Sequence, residues 1–176
     1  FDEIFIREDD SSEGIDPPLR AFYASVDGTR PVKELMKTFP GTRFDCCKFL
    51  CDLADEGRVR ALTHEELMKA SAQSVHARQH AQAAVYLQFA TQVKPGDPLT
   101  LSELGKVYAA FHQDSAASEA YLRAFRIFYE QGEFVAAVDV GEKVIAGGQL
   151  AEEDLEKLFE TYLQLTRVKK AASTGN

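Results

Sequence analysis

The sequence has no tryptophan, two methionines and only three cysteines, Cys46, Cys47 and Cys51, all within six residues. An odd number of thiols so close together is no disulfide framework, because neighbours on one helix do not bridge easily. Zinc sites draw ligands from separated pairs, and no second Cys or Cys/His pair exists. No apolar run approaches the ~18 residues of a membrane helix, so membrane insertion is not expected. A signal peptide is also missing, and the expected compartment is the cytoplasm. The chain opens on Phe1 rather than Met, as a piece cut or trimmed from something longer would. Basic charge is short as well. The 20 Lys+Arg against 28 Asp+Glu leave −8, a surface that on average repels phosphate. What is present, 45% apolar and 27% charged over 176 residues, suits a globular chain with one sizeable core or two small ones.

Charge is unevenly spread. Residues 1–16 carry seven acids against Arg7, residues 17–63 carry eight bases and six acids, and the remainder is acidic again. Alternation at Phe1, Ile4, Phe5 and Ile6 suggests a short strand, and Glu8 to Gly14 reads as a polar loop. Pro17-Pro18 suits a helix's first turn, with Leu19, Phe22, Tyr23 and Val26 at helical spacing. Asp27-Gly28 breaks that helix. Thr29 then caps a second, with Val32, Leu35, Met36 and Phe39 on one face, and Pro40-Gly41 ends it. Thr42 with Asp45 reads as a capping box opening a third helix, whose core face is expected at Phe44, Cys47, Leu50, Cys51 and Ala54, with Cys46 nearer the edge. Glu56-Gly57 stops it, and Arg58 to Leu62 alternates like a strand. Three short helices and a strand are the parts of a winged helix.

From Thr63, which forms a second capping box with Glu66, the chain becomes rich in Ala and Leu and nearly free of β signals. Breaks fall at 95–98, His112 to Ser115, Gln131-Gly132 and Gly147-Gly148, with Thr100 and Glu103 opening one of the helices between. An internal repeat is present. Ala83, Leu87, Ala90 and Pro95 fit a small-large-small-Pro pattern, and Ala117, Tyr121 and Ala124 follow 34 residues later. Leu101, Leu104, Gly105 and Tyr108 match the W-x2-L-G-x2-Y template with Leu for Trp. A third echo, Gly132 to Ala137, comes 20 residues after the second, so one helix would have to serve two units. The region resembles a degenerate tetratricopeptide array. Such arrays bind peptides on a concave side, where Glu103, Lys106, Arg123 and Arg126 are the candidate contacts.

The stretch from Ala24 through Asp27-Gly28 to Leu35, followed by Phe44, Phe49-Leu50, Leu53 and Glu56-Gly57-Arg58-Val59, resembles the winged-helix part of the bacterial PATAN domain. The resemblance covers about residues 17 to 62 and implies a signalling adaptor working through protein contacts. No receiver-domain residues accompany it.

DNA binding is the other reading of a winged helix, with the third helix in the major groove. That helix carries Arg43 and Lys48 against Asp45, Asp52, Asp55 and Glu56, a poor match to a polyanion. Lys33, Lys37, Arg58 and Arg60 complete the candidate nucleic-acid contacts. His76 and His80 stand one helical turn apart but lack the Glu of H-E-x-x-H, and are read as a solvated face. Glu65-Glu66 and Glu152-Glu153-Asp154 sit where helix N-termini stabilise acids anyway. No phosphate loop and no nucleophile–His arrangement is present, so no catalysis, cofactor or metal is expected.

The expected fold is all-α with a minor β wing: an acidic segment at 1–16, a winged-helix module at 17–62, antiparallel tetratricopeptide-like hairpins at 63–167 and a frayed tail at 168–176. The expected function is a bacterial signalling or scaffolding adaptor with a protein partner, nucleic acid being disfavoured. The alternative is a transcription regulator whose array senses or dimerises. A third reading is a fragment whose activity lies upstream. The oligomeric state is left open.

Overall fold

The computed structural model describes residues 3–147 and 151–174, with side chains as far as Arg167. Phe1, expected in the first strand, and Gly148, expected in a turn, lie outside the described residues, as do 175 and 176. The chain divides into two compact units, one ending at Glu66 and the other beginning at Leu67.

The first unit runs β1 (Ile4–Arg7), α1 (Pro17–Ala24), β2 (Asp27–Pro31), α2 (Val32–Leu35), α3 (Arg43–Asp55) and β3 (Val59–Ala61). Its antiparallel sheet has the order β2-β1-β3, with Phe5 opposite Ala61 and Ile6 opposite both Arg60 and Asp27. β1, from the acidic segment, is the central strand of that sheet. The expected second helix is revised. Asp27 accepts from the Thr29 amide and hydroxyl in an Asx turn inside β2, and the N-cap position of α2 is Pro31 rather than Thr29. The helix shrinks to the single turn of α2 after Pro31, and Phe39 lies beyond it.

Local chemistry sets the other ends as expected. Pro17 and Pro18 occupy the first turn of α1. The Thr42–Asp45 box opens α3, with the Asp45 amide donating to Thr42 Oγ1 at 3.2 Å and the Thr42 amide to Asp45 at 3.1 Å. Phe22, Tyr23, Val26, Val32, Leu35, Cys46, Leu50 and Leu53 form the core, bordered by a ring cluster in which Phe22 meets Phe39 edge-on at 4.8 Å. The loop after β1 is tied down by Arg58. Its guanidinium donates to the carbonyls of Ser11 and Glu13 and lies 5.2 Å from the Tyr23 ring centre.

The second unit is a helical array. It comprises α4 (His64–His76, whose first turn belongs to the first unit), α5 (His80–Val93), α6 (Pro98–Ala110), α7 (Asp114–Glu130), α8 (Phe134–Ala146) and α9 (Glu152–Thr174). From α5 onward each helix packs on the next in sequence. The last helix runs through Thr174, where a tail from 168 was expected. At α6 the cap is Asp97, which accepts from the Thr100 amide at 2.9 Å, rather than Thr100 itself.

Three turns share one geometry. Arg78, His112 and Gly132 take φ of 59°, 56° and 75°, and the next amide donates back to Ser74, Tyr108 and Phe128 at 2.8–2.9 Å. Each new helix then buries an alanine, Ala83, Ala117 or Ala137, whose amide donates to the carbonyl of Gln79, Gln113 or Glu133. The 20-residue echo is thus a repeated turn, and no helix serves two units. The true third pair is α8 with α9. There Gly141 faces Leu158 as Gly105 faces Tyr121, and Ser71 with Leu87 holds the equivalent places one repeat earlier.

Candidate functional site

α3 carries two apolar stripes one residue apart in register, and the structure buries the second of them. Cys46, Leu50 and Leu53 are in the core with Phe49 packed against it, while Phe44 is 75% exposed, Cys47 is half-buried and Cys51 is exposed. The expected core face is corrected accordingly. Phe22 and Phe39 take Phe49 into their ring cluster at 6.0 and 6.1 Å, which rotates Phe44, Cys51 and Ala54 outward. Burial pushes the Cys46 thiol up to about 11, so it stays protonated and inert.

The outward stripe lines two adjoining hollows that share Cys47. One, of about 380 Å³, has Glu3, Phe5 and Val32 opposite Cys47, Leu50, Cys51 and Ala54. The other, of about 950 Å³, is lined by the apolar Met36, Phe44 and Cys47 and by the charged Lys33, Lys37, Arg43 and Glu34. From Phe44 to Ala54 the stripe is about 15 Å long. This is an apolar trough with three cations and one acid around its larger end.

Of the candidate nucleic-acid contacts, Lys33, Lys37 and Arg43 line this larger hollow, with Lys37 also bonded to Glu34 at 2.6 Å. Lys48 lies elsewhere, beside Asp45, Phe49 and Asp52 in a shallow hollow under Phe39. Arg58 directly precedes β3 and Arg60 lies within it, on a strand that pairs with β1 in the three-stranded sheet. Arg58 is engaged with Tyr23 and the 11–13 loop. Arg60 is held by Glu8 and Glu66, with both Glu66 oxygens at 2.7 Å. The Arg60 guanidinium, followed by the Thr63 amide, lowers the Glu66 carboxyl to about 2.

The four array candidates are not brought together. Glu103 lines a groove with Met68, Ser71, Val75, Leu87 and Val107, and it accepts from Lys106 at 2.7 Å. Arg123 lies on a different hollow with Gln88, Tyr108 and Glu119. Arg126, half-exposed, is paired within the array. Its Nε and one terminal nitrogen donate to the two oxygens of buried Asp154 at 2.9 and 2.8 Å, holding that carboxyl below the usual range.

His76 ends α4 and His80 begins α5, so the left-handed Arg78 separates two residues expected on one helix. Among the described residues no three His, Cys, Asp or Glu side chains gather as a metal group. None of the described helices is long and apolar enough to cross a membrane. The two-stripe nature of α3 is what sequence reasoning missed. Its signal was present, since Cys46, Phe49, Leu50 and Leu53 are as well spaced as the face preferred above.

No protein-family model and no curated protein matches the chain. Among solved structures, the chain is similar to the crystal structure of the Sgt2 TPR domain from Aspergillus fumigatus. Identity is 17% and the TM-score 0.33, over 62% of this chain and 83% of that one.

Proposed function

We propose that this protein is a non-enzymatic, cytoplasmic adaptor of bacterial signalling that docks a partner protein in the trough beside α3, with the helical array as its scaffold. The occupant is an amphipathic, net-acidic helical segment of that partner. Its apolar face meets Met36, Phe44 and Cys47, and its acids meet Lys33, Lys37 and Arg43. The observation that carries the reading is Phe44, a large ring left 75% exposed on the helix a winged module would present to DNA. A phosphate-facing helix gains from cations and loses from Asp52, Asp55 and Glu56. The likeness of residues 17–62 to the PATAN winged helix supports a signalling setting, and the small-large pairing of the helical hairpins supports a tetratricopeptide-type array. On that array Glu103, Lys106 and Arg123 remain candidate secondary contacts.

The test is an anisotropy titration of the full chain with a labelled amphipathic Leu/Glu helical peptide and, separately, with random duplex DNA. Peptide binding that Phe44→Glu weakens about tenfold or more, the size of a lost hot spot, is expected. Duplex binding that falls steeply with salt, with no peptide binding, would overturn the proposal in favour of the DNA-binding alternative.

A further inference from the structure

α9 has two faces of different kinds. On one it buries Asp154, Leu158 and Thr161. On the other, Leu155, Phe159, Tyr162 and Leu163 are 46%, 65%, 40% and 43% exposed. Helical spacing sets them in one stripe. At one edge the Tyr162 hydroxyl bonds Glu142, so the stripe borders α8, where the exposed Ile145 lies one turn beyond Glu142.

The order of charge along α9 identifies what fits there. Its first half carries Glu152, Glu153, Asp154, Glu156 and Glu160 against one base, Lys157, which is paired with Glu153, and its second half carries Arg167, Lys169 and Lys170. A parallel twin would set acids against acids. An antiparallel twin turns the same sequence into its own complement, Glu152 and Glu156 lying opposite the basic half while Phe159 and Tyr162 meet near the axis. We infer that α9 pairs antiparallel with α9 of a second copy of this chain about a two-fold axis. The contact is isologous and closes at two subunits. From Glu152 to Arg167 the helices run side by side for about 24 Å. Such a pair buries less than the ~1,200 Å² of a standard interface, so the dimer is expected in the micromolar range. This inference is independent of the trough beside α3, which lies in the other unit.

Sedimentation velocity of the full chain, from low micromolar to hundreds of micromolar, tests it. Concentration-dependent dimers are expected. Phe159→Glu and, separately, Leu163→Gln should weaken them about tenfold with an unchanged circular dichroism spectrum, since both side chains face water in the monomer. Glu152→Lys with Glu156→Lys should weaken the dimer, as should Arg167→Glu. The three combined should restore it, which antiparallel pairing alone predicts. A chain that stays monomeric throughout overturns the inference. So does a dimer indifferent to both Phe159→Glu and Leu163→Gln, or a combined variant no tighter than its parents.

Discussion

Gly105 lies so close beneath the Tyr121 ring that a β-carbon there would meet ring carbons at 2.6 Å. Backbone-to-ring contact of this kind lets α6 and α7 approach closely, and Gly141 against Leu158 repeats it between α8 and α9 at the same 2.6 Å. On an open helical surface, Gly→Ala would stabilise by up to about 1 kcal/mol. Here Gly105→Ala is expected to destabilise, because overpacking costs about 1–3 kcal/mol. Urea unfolding reads the sign directly, and Tyr121→Leu in the same chain should recover part of the loss.

Arg126 was a candidate peptide contact by sequence, and the structure makes it the counter-ion of Asp154. Arg126→Ala strands a buried carboxylate and should cost about 1–3 kcal/mol, the lower end reflecting a half-exposed guanidinium. The sign with pH follows from a native carboxyl held below its ordinary 3.8. The pair's contribution is present above that value and is lost as pH falls through the lower native one. The gap in unfolding free energy between wild type and Arg126→Ala should therefore close in acid.

What was legible beforehand is what short-range chemistry encodes. Thr42 with Asp45, Thr63 with Glu66 and the paired prolines at 17 and 18 each announce a helix start within four residues. The 34-residue repeat singled out Gly105 and Tyr121 separately, and their contact came only with the packing of α6 on α7. The central place of β1 was not legible, because strand order depends on β2 and β3, which lie far along the chain. Neither was the face that α3 buries. Both of its stripes are apolar, and only the rings of Phe22 and Phe39, set by other elements, decide between them. The trough was hidden for the same reason, since the stripe that lines it is the one assigned to the core.

Acid should loosen the junction between β3 and α4. Glu66 is held at about 2 against an ordinary 4.5, chiefly by Arg60 and then by Thr63. A depressed native value adds stability above 4.5 that drains away as pH drops towards 2. Thermal unfolding followed from pH 7 to pH 2 should show Glu66→Gln with a lower midpoint at neutral pH and a shallower acid decline than wild type.

Thiol accessibility reports the register of α3. Cys51 is exposed, Cys47 half-buried and Cys46 fully buried with its thiol raised to about 11. Alkylation of the native chain followed by mass mapping should label Cys51 first, Cys47 more slowly and Cys46 only on unfolding. Fast labelling of Cys46 with protection of Cys51 would mean that the other stripe is buried.

Backbone amide shifts on isotope-labelled protein, recorded with the amphipathic acidic peptide and with random duplex DNA, test the docking role of α3 most directly. The account predicts peptide-induced changes concentrated at 33–37 and 43–54, and no response to duplex at low salt. Salt-sensitive changes around Arg43 and Lys48 on adding duplex, with the peptide leaving those amides unmoved, would contradict it.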